Sequence, residues 1–270
     1  LLELNFEVVE IPLLGAPGDA AAASLDLAEI EREFASEQGI DAFILCNPHN
    51  PHGVPFRAEE LAALAGLAAD HDVFVVSDEI HAPLVHSGAT FTPFAPLAAE
   101  AGALSVTTTS ASKGWNLAGA KCSVIVAADD RANRLLETLP PEVATRTSIL
   151  GLHANVAAFT EAREWQQRTI AQIEANQRLL AHLVANQLPG LRYTPGTAGY
   201  LAWLDLRGLG LDDQPAERLI QEAKVALNQG NDFGSSGSGH ARMNLACAPD
   251  TIVQGVHRIA SLVTEVGAAS

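Results

Sequence analysis

The chain contains three lysines. Two of them, Lys113 and Lys121, fall in one segment, Ser110-Ala-Ser-Lys-Gly-Trp-Asn-Leu-Ala-Gly-Ala-Lys121. A run of hydroxyls leads into it (Thr107, Thr108, Thr109, Ser110, Ser112), and Gly114 and Gly119 break any long helix. A primary amine among hydroxyls and small residues can form a Schiff base beside a phosphate pocket. The plain alternative is a solvated surface lysine. Two stretches upstream carry further chemistry. Cys46-Asn-Pro-His-Asn-Pro-His-Gly53 holds two Asn-Pro pairs and a glycine, which impose a fixed, non-helical path. Ser77-Asp78-Glu79-Ile80-His81 places the Asp78 carboxylate directly after an apolar run, where it is poorly solvated. A helix-capping aspartate is the alternative there.

These groups need a frame to bring them together. Ala42 to Leu45 form a continuous apolar run bounded by Asp41 and Asn47, which fits a strand buried on both faces. Arg57 to Asp70 form an amphipathic helix with Leu61, Leu64, Leu67 and Ala68 on one stripe. Val73 to Val76, Leu104 to Thr108 and Cys122 to Ala127 read as further strands, followed by a helix over Arg131 to Leu139. Strand, helix, strand in this order predicts right-handed crossovers and a largely parallel sheet. Ligands bind such sheets at the C-terminal ends of the strands. The asparagine amide, the acid and the amine each follow a strand.

Other elements fill out the chain. Phe6 to Leu14 read as a strand and Gly15 to Ala23 as a loop. Asp26 is placed to cap a helix over Leu27 to Glu37, with Glu29 completing a capping box. Helices are expected around Ser148 to Thr160 and Glu161 to Asn186. The composition shifts near Gly190. Beyond it, strands at Tyr200 to Leu206 and Ala241 to Leu245 alternate with helices at Gln214 to Lys224 and Pro249 to Val266. The division expected is a large domain over residues 1–188 and a smaller C-terminal α+β domain over residues 189–270.

Composition narrows the function classes. The net charge of −16 argues against a nucleic-acid surface, which needs a clustered basic face. No uninterrupted apolar run approaches the roughly 20 residues of a membrane span. Cys46, Cys122 and Cys247 are far apart and form no CxxC pair, so they read as free thiols in a reducing compartment, and the cytoplasm is expected. No metal site is expected.

The order and spacing of Asn50, Asp78 and Lys113 resemble the fold-type I enzymes that use pyridoxal 5′-phosphate, the class I/II aminotransferase superfamily. The resemblance covers essentially the whole chain. It implies a PLP-dependent transferase-like three-layer α/β large domain and a homodimer acting on a small amino-acid substrate. It also implies roles. Lys113 would form the Schiff base with the cofactor aldehyde. Asp78 would pair with the pyridine nitrogen and keep the ring an electron sink. Asn50 would donate to the ring's 3-oxygen. Ser110 and Ser112 would lie by the phosphate. Lys121 stands where most relatives carry a phosphate-binding arginine; an ammonium there neutralises phosphate but loses the bidentate fork. Arg242, in His240-Ala-Arg-Met-Asn-Leu245, matches the arginine that clamps the substrate α-carboxylate, a task its planar fork suits.

Aminotransferases usually carry Tyr three residues after the aspartate; here that position is His81. Together with the doubled Asn-Pro, SASKGWNLAGAK, ALNQGNDFG and GYLAWLDL, this resembles the MalY/PatB-type cystathionine β-lyase branch. The implied reaction is α,β-elimination on an S-substituted cysteine. A PLP aminotransferase and a catalytically silent regulatory module are the alternatives. The opening, LLELNFEVVEIPLL, reads as protein interior. The resemblance therefore leads one to expect a preceding segment carrying a phosphate loop and a ring-stacking aromatic.

Overall fold

The computed structural model describes residues 6–15 and 23–269. In chain order the elements begin with α1 (Leu27–Phe34), β1 (Ala42–Cys46), α2 (Ala58–Asp70), β2 (Phe74–Asp78), α3 (Phe94–Ala101) and β3 (Ser105–Thr109). The short α4 (Ala111–Gly114) follows, then β4 (Val124–Ala127), α5 (Asp130–Leu136), α6 (Pro141–Thr145), α7 (Ile149–Glu161) and α8 (Arg163–Gln187). The chain continues with β5 (Leu201–Asp205), α9 (Pro215–Arg218), β6 (Asn228–Gln229), β7 (His240–Asn244) and α10 (Pro249–Ala269).

Two compact units are present. One comprises Ile30–Ala175 and Gly196–Tyr200; the other comprises Leu1–Glu29, Asn176–Pro195 and Leu201–Ser270. The first holds a four-stranded sheet in the order β1-β2-β3-β4. β1, β2 and β3 are parallel, in register Cys46↔Asp78 and Asp78↔Thr108. α2 and α3 make the crossovers, and each places an apolar stripe on the core: Leu61, Leu64, Ala65 and Ala68 from α2, Phe94 and Ala98 from α3.

β4 departs from the parallel reading. It runs antiparallel to β3, in register Thr109↔Val124. A parallel return needs a crossover of a dozen or more residues, usually a full helix. The connection over residues 110–123 is long enough but forms no full helix, only the four residues of α4 and a single 3-10 turn, Ala118–Ala120. β1 is also less buried than its apolar run suggests, with Ile44 53% exposed. β1 is an edge strand of the sheet, and Ile44 projects from one face of it.

The second unit is built on a three-stranded antiparallel sheet, β5-β7-β6. α10 lays Ile252, Val256, Ile259 and Leu262 on its core, the three- and four-residue spacing of one helix face. The later part of α8 adds Leu180, Leu183 and Val184. Asn176 crosslinks by donating its amide to the Leu245 and Cys247 carbonyls at 2.8 and 2.9 Å. Gly190 and Gly208 cross so closely that a Cβ on Gly190 would lie 2.2 Å from the Gly208 carbonyl oxygen.

Two expected elements differ. Over Phe6 to Leu14 there is no continuous strand, only a bridge from Leu14 to Ser24. The helix expected over Gln214 to Lys224 is α9 followed by a π turn, Leu219–Ala223, which stops at Lys224 in the left-handed region (φ 56°). Asp26 caps α1 as expected, accepting the Glu29 N–H at 3.0 Å. The loop expected over Gly15 to Ala23 lies almost wholly outside the described residues. No helix among the described residues is long and apolar enough to cross a membrane.

Candidate active site

Parallel strands put their C-terminal ends on one edge of a sheet, and here those ends are bonded to each other. The Asn47 N–H donates to the Asp78 carbonyl at 3.0 Å, and the Glu79 N–H donates to the Thr108 carbonyl at 2.9 Å. The loops that carry Asn50, Asp78 and Lys113 therefore leave three neighbouring strands side by side.

In the first loop the two asparagines have different tasks. Asn47 is buried and structural: its amide donates to the Thr92 carbonyl at 3.2 Å and its Oδ1 accepts the Phe56 N–H at 3.0 Å. Asn50 is half-buried. Both Asn–Pro bonds of the loop are cis. His49 and His52 face each other with their Nδ1 atoms 3.1 Å apart, and burial pushes the His49 pKa down to about 3. Cys46 lies under this loop, and burial raises its thiol pKa.

Asp78 and Glu79 end β2. Asp78 is half-buried and its Oδ1 accepts the Ile80 N–H at 3.1 Å. Glu79 is buried; its Oε1 accepts the Ser77 hydroxyl at 3.0 Å and the Phe94 N–H at the start of α3 at 2.9 Å. Burial, the largest influence, raises the Glu79 pKa. His81 is buried one turn on, its ring 6.1 Å from that of Tyr200.

Lys113 sits on α4, half-buried. Ser110 caps this turn, accepting the Ser112 N–H at 3.0 Å. The Ser110 hydroxyl donates to the Cys122 carbonyl at 2.7 Å and lies 2.6 Å from the Ser112 hydroxyl. Ser110 is thus engaged within the loop, and Ser112 is the more open of the two. After the turn, Asn116 and Lys121 both adopt left-handed backbone (φ 55° and 54°), and Lys121 is exposed. Two non-glycine residues in that region so close together mark a loop held in place by its surroundings.

Sequence reasoning missed the residues that seat α4. Asn155 on α7 is buried; its Oδ1 accepts the Ala111 N–H at 2.8 Å while its amide donates to the Gly151 carbonyl at 3.0 Å. The available signal was an amide inside the otherwise apolar run ILGLHANVAAF. Trp115 donates from Nε1 to the Ala162 carbonyl at 3.0 Å and packs edge-on against Phe159 at 4.7 Å. Gly114 passes close to Pro83, where a Cβ would meet the proline Cβ at 2.7 Å. Arg242 lies in the other unit, on β7. Its Nη2 donates to Asn228 Oδ1 at 3.0 Å and its Cζ stands 4.3 Å over the Phe233 ring.

Comparison with known proteins gives the family. The aminotransferase class I and II family matches residues 5–259. The chain belongs to that family. Within it, the chain is 37% identical over 242 residues to a cystathionine beta-lyase of Corynebacterium glutamicum, covering 90% of this chain and 64% of that protein. It is 34% identical over 258 residues to the cystathionine beta-lyase PatB of Bacillus subtilis, covering 93% and 65%. The fold is similar to that of the PLP-bound C-S lyase from Staphylococcus hominis, with a TM-score of 0.83 at 28% identity, covering 93% of this chain and 63% of that one. The chain thus spans slightly less than two thirds of the length of these relatives.

Proposed function

We propose that the protein is a PLP-dependent carbon–sulfur β-lyase that cleaves L-cystathionine or another S-substituted L-cysteine to pyruvate, ammonia and a thiol. The observation that supports this reading is the bonded row of strand ends, from which the loops bearing Asn50, Asp78 and Lys113 leave. The donor set suits pyridoxal 5′-phosphate. A half-buried carboxylate can hold a pyridinium proton, an amine can take an aldehyde, and hydroxyls with an ammonium can take a phosphate. The names of the relatives support the branch.

When bound, pyridoxal 5′-phosphate supplies an electron sink for the pair released at the substrate α-carbon. The protein's own residues do the rest. Asp78 would hold the proton on the ring nitrogen. Asn50 would donate to the ring's 3-oxygen, with His81 buried three residues beyond Asp78. Ser112, backed by Ser110, and Lys121 would orient the phosphate. Lys113 would hold the cofactor aldehyde and would serve as the base for the substrate α-proton. Arg242 anchors the substrate carboxylate. The α C–H and β C–S bonds break, the thiolate leaves with its electron pair, and water releases pyruvate and ammonia. The cofactor chemistry would belong to the unit of Ile30–Ala175 and Gly196–Tyr200, and carboxylate recognition to the unit that holds Arg242.

The protein is further read as a cytoplasmic homodimer. α7 is apolar on most of its circumference: Gly151 and Ala158 pack inward, while Ile149 and Val156 stand open and Leu150 is 78% exposed. A helix apolar all round is normally covered. The three cysteines are free, as in a reducing compartment.

The test incubates the protein with L-cystathionine, without any 2-oxo acid. Pyruvate and thiol are expected in equal amounts. Product that forms only on adding a 2-oxo acid would establish an aminotransferase instead. Failure of PLP to give a visible absorption band would establish a silent module.

A further inference from the structure

We propose that Asn228, Phe233 and Trp203 are positioning residues that fix the Arg242 guanidinium for a planar carboxylate. The inference rests on the reading of Arg242 as the carboxylate anchor and adds how it is oriented.

Arg242 occupies the central strand of its sheet. Its direct partners are Trp203 on β5 and Asn228 on β6. Residues directly opposite in an antiparallel pair share a face, with Cβ atoms about 5 Å apart. Arg242 is therefore flanked on both sides along one face of the sheet. Asn228 takes Nη2 at 3.0 Å. The guanidinium carbon stands 4.3 Å over the centroid of the Phe233 ring, which comes from the loop after β6. Phe233 is itself held edge-on by Trp203, at 5.7 Å and 85°. Trp203 stacks on His240 at 5.1 Å and 8°. Buried His240 ends the series with Nδ1 2.8 Å from the Ser238 carbonyl.

The stack has a chemical consequence. An arginine side chain has several rotatable bonds, and ordering it on binding costs affinity. Here the ring covers one face of the guanidinium and the amide fixes its rotation. That leaves in-plane N–H groups for a ligand, the approach a bidentate carboxylate uses. A point anion gains less from such a fork. The series thus selects α-amino acids over amines lacking the carboxylate.

The experiment uses the holoenzyme with Asn228→Ala, Phe233→Leu, Phe233→Tyr and Arg242→Lys. Asn228 is exposed, so its variant keeps the fold. Two readouts are taken: KM and kcat for an S-substituted cysteine against the matching decarboxylated amine, and calorimetric Kd for propionate against propionamide. Phe233→Leu and Asn228→Ala are expected to weaken propionate and raise KM for the amino acid about fivefold, the scale of a lost cation–π contact or hydrogen bond. The amine and the amide should change several-fold less, and Phe233→Tyr should restore most of the affinity. If Arg242→Lys weakens propionate but the Asn228 and Phe233 variants do not, the positioning role is overturned and the anchor stands. If Arg242→Lys leaves propionate binding unchanged, the anchor reading falls and this inference with it.

Discussion

Asp78 and Glu79 are consecutive carboxylates at the end of β2, and Glu79 spends its acid inside the protein, tying the Ser77 hydroxyl to the Phe94 N–H that opens α3. Asp78 sits half-buried beside it, over the junction with the neighbouring strands. Two acids one residue apart therefore divide the work: one fixes a crossover helix, the other faces the proposed chemistry.

For Glu79 the pH dependence follows from a raised pKa. The folded state binds the proton more tightly than the unfolded chain. Its stabilising contribution is complete below the unfolded value of about 4.3 and is lost as pH rises through the folded value. Glu79→Gln keeps an acceptor without the charge. It should fold normally, and thermal melts between pH 4 and 8 should decline less on the alkaline side than in the parent. Glu79→Ala strands the Phe94 N–H and should cost about 1–3 kcal/mol.

Asp78→Asn should leave the melting temperature near that of the parent while lowering kcat/KM for the β-lyase reaction by several orders of magnitude, the scale of a lost transition-state charge interaction. Steady-state kinetics with cofactor content checked by absorbance decides it.

Lys113 should carry the cofactor label. Borohydride reduction followed by peptide mapping is expected to place a pyridoxyl group on Lys113, and a label on Lys121 or Lys224 would refute its role.

Asn155 holds the first N–H of α4 from a helix 44 residues away. Asn155→Leu leaves that buried N–H without its acceptor. Denaturant unfolding should show a loss of about 1–3 kcal/mol, and activity should fall through the displaced Lys113 turn. Asn155→Asp keeps the acceptor and should recover most of the activity.

Gly114→Ala drives a methyl to 2.7 Å from Pro83 Cβ. Overpacking of this kind costs about 1–3 kcal/mol. The variant should melt lower and lose labelling efficiency at Lys113.

Much of this arrangement is legible in the chain itself. The apolar runs before Asn47 and Asp78 are short and continuous, so they mark strands, and their polar ends mark the edge where ligands bind. The direction of β4 is not legible, because the periodicity of a strand carries no information about its orientation. The openness of β1 and β4 is hidden for the same reason: an apolar run does not reveal whether a neighbour covers it. The hold of Asn155 on Ala111 joins residues far apart in sequence, and nothing local announces it. Ser110 reads as a phosphate ligand by type, while its hydroxyl is committed to Cys122. The stack under Arg242 is likewise visible only once β5, β6 and β7 are set in register.

The reversal of β4 has a consequence for the segment that precedes it. A crossover must span the full height of a sheet, so its length is constrained. The segment carrying Lys113 instead joins adjacent ends of two antiparallel strands, Thr109 opposite Val124. It has no distance to bridge. The Ser110 hydroxyl, bonded to the Cys122 carbonyl, closes the segment at its base. The segment that bears Lys113 is thus bounded by two strand ends that already lie side by side.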